Sequence, residues 1–412
     1  MPKDKHFTTN ILHADRRAGS EYGAVHAPQH ASTQYAFNDV RDLVAVFQGR
    51  PGFSYARQGS PTTRALEAKI SQMEGGINTV CFSTGMAALA ATFLTLLRQG
   101  DHLISSNYIF GNTNSLFSTL RRFGVEVSFV DATKVDEVKA AYQDNTRLVF
   151  VESIANPATQ VADLEGIGQW CTEQGLLYVL DNTLATPWLC QGRAVKAGLV
   201  VNSLSKYIGG HGHVLGGAVT DTGLFDWATY PAIFEAYQTG EAANWGLTQI
   251  RKKGLRDMGA TLSSDAAHRV SVGAETLELR MEKACANALQ LAQALKEMPE
   301  VTSVQYPGLV SHPQHQRARH LFKQRYGAIM AVELDAHVNL FAFLNRLQVW
   351  VLATHLGDTR SLVIPVAHTI YHEMGAQRRA EMGIADNLLR LSVGIENVSD
   401  LITDFKNALL NA

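Results

Sequence analysis

Short apolar runs alternate with amphipathic stretches through the middle of the chain. Strands are read at NTVCFST (Asn78 to Thr84), HLISS (His102 to Ser106), VEVSFV (Val125 to Val130), RLVFVE (Arg147 to Glu152), LLYVLD (Leu176 to Asp181) and LVVNSL (Leu199 to Leu204). They are apolar on both faces rather than alternating, as a mostly parallel sheet between two helix layers requires. From Pro61 the pattern TTRALEAKISQMEGG predicts a helix ended by a glycine pair. A long helix is expected from about Ala260 to Met298, followed by strands such as AIMAVEL and LLRLSVGIE among further helices. The first sixty residues show no sustained period and read as an extended arm of the kind that reaches a neighbouring subunit. The expected division is an arm over 1–60, a large α/β domain over 61–255 and a smaller C-terminal α/β domain over 256–412.

Composition narrows the function classes. At 412 residues, 46% hydrophobic and 18% charged, the chain is long enough for more than one core. A net charge of -2 gives no reason to expect nucleic acid or a membrane surface as partner, and a small-molecule substrate fits better. Cys81, Cys171, Cys190 and Cys285 lie far apart with no CxxC pair, which argues against a zinc site and a disulfide framework. The opening MPKDKHFTTNILHADRRAG is polar, and no apolar run approaches the roughly eighteen residues of a membrane span. A cytoplasmic location is expected.

In an open α/β sheet ligands sit at the carboxyl ends of the strands. Gly85-Met86 opens an apolar helix after the first strand, where free N–H groups and the helix dipole suit a phosphate. Asn156-Pro157 follows the fourth strand, Asp181-Asn182-Thr183 the fifth, and Ser203-Leu204-Ser205-Lys206 the sixth, before the glycine-rich GGHGHVLGG. A lysine able to form an imine, a carboxylate for a pyridine nitrogen and donors for a dianionic phosphate are what pyridoxal 5'-phosphate needs. Each element alone has a blander reading: a solvated lysine, a capping aspartate, serines that satisfy backbone groups.

Eight segments in order strengthen the first reading: YARQGSPTTRALE, FSTGMAAL, IFGNT, ESIANP, DNTLATP, SLSKYIGGHGHVLGG, THLGDTRSL and LRLSVGIE. With them the chain resembles, over nearly its whole length, the pyridoxal-dependent enzymes of cysteine and methionine metabolism: cystathionine synthases and lyases, methionine gamma-lyase and O-acylhomoserine sulfhydrylases. The resemblance implies a fold type I, aminotransferase-like architecture and a homo-oligomer, a dimer or a tetramer, in which the active site forms between chains. It implies Lys206 as the Schiff-base lysine and proton shuttle, Asp181 as partner of the pyridinium nitrogen, and Gly85, Met86, Thr183, Ser203 and Ser205 around the cofactor, the glycine, methionine and serines as its phosphate cradle. Tyr55 and Arg57 would reach the phosphate in the adjacent subunit, Asn156 would lie near the phenolic oxygen, and Arg390 would clamp the substrate carboxylate.

Four positions depart from the family pattern. Phe110 in IFGNT replaces a common tyrosine, which keeps ring stacking and removes a phenol. His355 in THLG replaces a common serine, so a group that titrates near neutral pH stands beside the substrate's expected place. Ser60 stands where asparagine is usual, and His213 follows GHG. A carboxylate leaving group needs less acid assistance than a thiolate, so Phe110 favours an acyl ester of homoserine, the alternative being that Tyr55 of the adjacent chain acts as the catalytic proton donor in its place. The expected reaction is γ-replacement by sulfide or cysteine, giving homocysteine or cystathionine; the alternative is γ-elimination. A nicotinamide oxidoreductase is disfavoured by the lack of a GxGxxG after the first strand. A non-catalytic binding protein is disfavoured by intact Lys206, Asp181 and Arg390, and zinc at His211/His213 or His368/His372 lacks a third ligand nearby in sequence.

Overall fold

The computed structural model describes residues 6–16, 19, 21–381 and 384–410. The strands β1 (Asn78–Phe82), β2 (His102–Ser106), β3 (Glu126–Val130), β4 (Thr146–Glu152), β5 (Leu177–Asp181), β6 (Leu199–Asn202) and β7 (Gly217–Asp221) form one sheet in the order β1-β7-β6-β5-β4-β2-β3. Strands β2 to β6 pair in parallel, and β7 runs antiparallel between β1 and β6. The six expected strands are all present. The seventh, GAVTD, was not anticipated, because it opens on a glycine and too few apolar residues follow to stand out.

Central strands are buried from end to end because helices cover both faces. On one face Phe93, Phe117 and Phe150 meet edge-on at 5.0 to 5.7 Å, each ring contributing about 2 kcal/mol by burial. On the other, Ile104, Val149 and Leu180 pack towards the helix Leu277–Lys296, and the same cluster continues to Val332, Leu391 and Phe405. Val332 and Leu391 belong to a second sheet, β8 (Val301–Gln305), β9 (Ile329–Leu334), β10 (Val351–Leu352), β11 (Leu362–Pro365) and β12 (Leu388–Ser392), ordered β10-β11-β12-β9-β8, and Phe405 to the helix Val398–Leu409.

The helix expected over 260–298 is two helices, Ser264–Glu275 and Leu277–Lys296, broken at Thr276, whose backbone leaves helical geometry. The point near 255 lies inside the continuous helical segment that runs through Trp245–Gln249 and Ile250–Asp257, so the chain has no linker there. Nor are the first sixty residues wholly extended. The helix Phe7–Leu12 buries Ile11, and Asp15 pairs with the buried Lys69 at 3.3 Å, which also meets Glu275 at 2.9 Å. The helix Val40–Phe47 buries no residue and leaves Val40, Val44 and Phe47 at 70%, 46% and 74% exposure along one face. No helix among the described residues is long and apolar enough to cross a membrane.

Candidate active site

The carboxyl ends of β4, β5 and β6 lie side by side, and the pairing sets Glu152 directly opposite Asp181. The turn after β6 is fixed from both sides. The Ser203 N–H donates to Thr183 Oγ1 at 2.8 Å, and Arg280 donates to the carbonyls of Tyr207 (2.6 Å), Ile208 (3.2 Å) and Gly273 (2.7 Å). Lys206 is thereby half-buried with Nζ 3.3 Å from His355 Nδ1. Burial, and then the charge of Arg390, pushes its amine down to about 8.

Arg390, on the central strand β12, is 3% exposed. Its Nη2 donates to the carbonyls of Thr354 (2.8 Å) and His355 (3.0 Å), while Nε is buried without a partner among the described residues. Burial lowers the guanidinium to about 10. Behind it Tyr371 donates to the Asn156 carbonyl at 3.2 Å, and burial together with Glu152 pushes its phenol up to about 12. Asn156 precedes a cis proline, and its side-chain oxygen is buried without a partner.

Asp181 accepts from the Thr183 N–H at 2.9 Å, and Glu152 accepts from the Phe110 N–H at 2.6 Å. Both carboxyls are raised: Asp181 by burial, Glu152 by burial and by Asp181. Neither makes an ion pair with a described residue. Two adjacent carboxyls, Glu152 buried and Asp181 half-buried, are costly without a counter-charge, and the protonated ring nitrogen of a bound pyridoxal cofactor would supply it at Asp181. Across the site the helix Gly85–Leu96 begins. Its cap Thr84 accepts from the Ala87 N–H at 3.0 Å, and the N–H groups of Gly85 and Met86 have no intrahelical acceptor. A Cβ on Gly85 would stand 2.8 Å from Ser203 Cβ, so only glycine leaves that mouth open. With the dipole of the helix behind it, this mouth fits a phosphate. The residues present therefore fit pyridoxal 5'-phosphate.

Other expected site residues sit differently. The Ser205 hydroxyl is buried and spans the Gly216 backbone, donating to its carbonyl at 3.2 Å and accepting from its N–H at 2.9 Å. Phe110, 38% exposed, caps the helix Gly111–Arg122 on the Glu152 side. Tyr55 and Arg57 are not brought to Lys206 within one chain. Arg57 donates to the Arg256 carbonyl at 2.7 Å and lies over the Tyr55 ring, and Tyr55 is 43% exposed. Both border a cleft near the arm, and Tyr55 also lines a groove of about 760 Å³ beside the helix Pro61–Glu74. Among the described residues no group of three or more His, Cys, Asp or Glu could hold a metal ion.

Glu152, Tyr371 and Arg280 escaped the sequence reading. Glu152 lay within ESIANP, and only the β4–β5 register reveals that it faces Asp181. Nothing local marks the other two.

Fold and site together define a pyridoxal-phosphate enzyme of fold type I. Comparison with known proteins then gives the family: the chain belongs to the Cys/Met metabolism PLP-dependent enzymes, whose profile matches residues 8–410. Among its relatives are an L-methionine gamma-lyase of Fusobacterium nucleatum, 37% identical over 94% of each chain, and the O-acetyl-L-homoserine sulfhydrylase 1 of Thermus thermophilus, 35% identical over 98% of this chain and 99% of the relative. A solved structure of a proposed O-acetylhomoserine (thiol)-lyase from Campylobacter jejuni, carrying a pyridoxyl-lysine phosphate, superposes with a TM-score of 0.92 at 29% identity, covering 98% of this chain and all 100% of that one.

Proposed function

We propose that this enzyme catalyses γ-replacement on an O-acyl-L-homoserine, with sulfide or cysteine as the incoming thiol. The observation that carries the choice is Phe110: the residue held by Glu152 beside Asp181 has no phenol to donate. A carboxylate leaves as the base of an acid with a pKa of about 4, a thiolate as that of one near about 8.5, so the site without the phenol suits the acyl ester.

When bound, the cofactor supplies an electron-withdrawing ring that drains charge from the substrate's α carbon. Lys206 would hold its aldehyde, Asp181 would keep its ring nitrogen protonated, and Gly85, Met86 and Ser203 would receive its phosphate. Arg390 holds the substrate carboxylate through donors such as the buried, free Nε. Lys206, whose amine is depressed to about 8 and so gives up its proton far more readily than an ordinary lysine, takes the α proton and passes a proton at the β carbon. The acyloxy group departs unprotonated and the thiol adds at the γ carbon.

Residues 1–60 act as an arm on a second chain, whose site Tyr55 and Arg57 complete, within a dimer or a tetramer of such pairs. Support comes from the uncovered Val40, Val44 and Phe47 and from Tyr55 and Arg57, where Arg57 lies over the Tyr55 ring and bonds the Arg256 carbonyl. Four buried free thiols suit a reducing cytoplasm. His355 and Thr183 border the site.

A second reading, γ-elimination to a 2-oxo acid, ammonia and a thiol, is favoured by the 37% identity to the gamma-lyase of Fusobacterium nucleatum. The deciding experiment incubates the purified enzyme with O-acetyl- and O-succinylhomoserine, with and without sulfide or cysteine. Thiol-dependent homocysteine or cystathionine supports replacement. Oxo-acid release without any thiol requirement overturns it in favour of elimination, and a protein that shows no visible band after cofactor addition refutes the Lys206 assignment.

A further inference from the structure

His355 is tied to the site at both its side chain and its backbone. Its Nδ1 lies 3.3 Å from Lys206 Nζ, and its carbonyl accepts from Arg390 Nη2 at 3.0 Å. The loop that carries it is seated on the lysine turn: Gly357, at φ +76, would bring a Cβ within 2.7 Å of the Tyr207 nitrogen, and its N–H donates to Ser392 Oγ at 3.0 Å. The charged or titratable groups that act on the ring are Lys206, Asp358 and Arg390. Burial, then the Lys206 charge, lowers the imidazole, so it is neutral at neutral pH.

An ammonium offers only donors, so in the neutral ring Nδ1 must be the acceptor and Nε2 must carry the hydrogen. That Nε2 is buried without a partner among the described residues. The ring is held against Lys206 at Nδ1 and also meets the Ser205 backbone, on the same turn as the lysine.

We propose that His355 is a positioning residue for Lys206, its Nδ1 receiving the lysine amine whenever the amine is free and holding it at the reacting edge of the site. The proposal rests on the reading of Lys206 as the cofactor lysine. It differs from a substrate-reading role for His355, which would act on affinity instead of on the lysine.

The test uses the full chain stripped of cofactor and then the reloaded enzyme. Lys206 acylation is followed against pH by peptide mass spectrometry in wild type, His355→Phe and His355→Asn. The wild-type midpoint is expected near about 8. His355→Phe keeps an aromatic ring and removes the acceptor, so its midpoint falls by about one pH unit, whereas Asn restores it through Oδ1. In the reloaded enzyme His355→Phe lowers kcat about tenfold, with KM for the homoserine ester changed by less than about twofold. An unchanged midpoint in His355→Phe, or a raised KM at constant kcat, overturns the proposal. Should His355→Phe not fold, a His355→Asn midpoint away from that of wild type overturns it as well. Borohydride reduction separates the two readings: a pyridoxyl tag on a peptide other than that of Lys206 refutes the cofactor assignment, while a tag on Lys206 with an unmoved midpoint refutes only the role of His355.

Discussion

Lys206 and Asp181 meet opposite electrostatic demands within one site. Burial disfavours the charged form of both, lowering the lysine to about 8 and raising the aspartate. Because only the neutral amine attacks an aldehyde, cofactor capture by the stripped protein should quicken about tenfold per pH unit up to about 8 and then level off, as stopped-flow absorbance would show. The stability sign follows from the same shift. Between about 8 and the ordinary value of 10.5 the unfolded chain binds more protons at Lys206, so the stripped protein gains stability as pH rises through that window. At Arg390 the prediction concerns substrate. Arg390→Lys keeps the charge and loses the planar fork, so steady-state kinetics should show KM raised roughly tenfold to a hundredfold, with a smaller fall in kcat.

The site stands on strand ends, and a buried residue behind it holds two of them together. Glu74, at the end of the helix Pro61–Glu74, is 0% exposed and accepts from Asn182 Nδ2 (3.0 Å), Asn202 Nδ2 (2.7 Å) and the Gly192 N–H (3.0 Å). Asn182 follows Asp181 and Asn202 precedes Ser203, so one carboxyl group spaces the ring-nitrogen partner from the lysine turn. Glu74→Ala leaves three buried donors unsatisfied and should cost about 3 kcal/mol in urea denaturation, with Glu74→Gln costing less. Legibility in the sequence follows the same division. Strands β1, β2 and β4 to β6 were readable because burial makes them largely apolar runs, whereas β7 opens on a glycine and is polar at its end, and the break at Thr276 lies within an unbroken helical pattern. Lys206, Asp181 and Gly85 were readable because strand ends are where ligands sit. Arg390 and His355, far along the chain, came only through family resemblance. Glu152 and Arg280 depend on register and tertiary contact, which no local pattern carries.

At the scale of the whole molecule, the exposed arm makes a claim about stoichiometry. Tyr55 and Arg57 project on the arm side, with Arg57 bound to the Arg256 carbonyl, while Lys206 lies under the second sheet's loops. If each site takes its lysine from one chain and its arm from another, Lys206→Ala and Arg57→Ala damage different halves of a shared site. Each variant alone should be inactive or nearly so. Unfolding and refolding an equal mixture gives hybrid pairs in about half of the assemblies, and in each hybrid one of the two sites takes both intact halves. Recovered activity should therefore approach about a quarter of the wild-type value, assayed after co-refolding with cofactor. A site built within one chain gives no recovery at any mixing ratio, because every chain then carries its own defect. The comparison needs no knowledge of the true acyl group or thiol, only a substrate that the wild-type enzyme turns over, so it tests the arrangement of the arm apart from the choice of reaction.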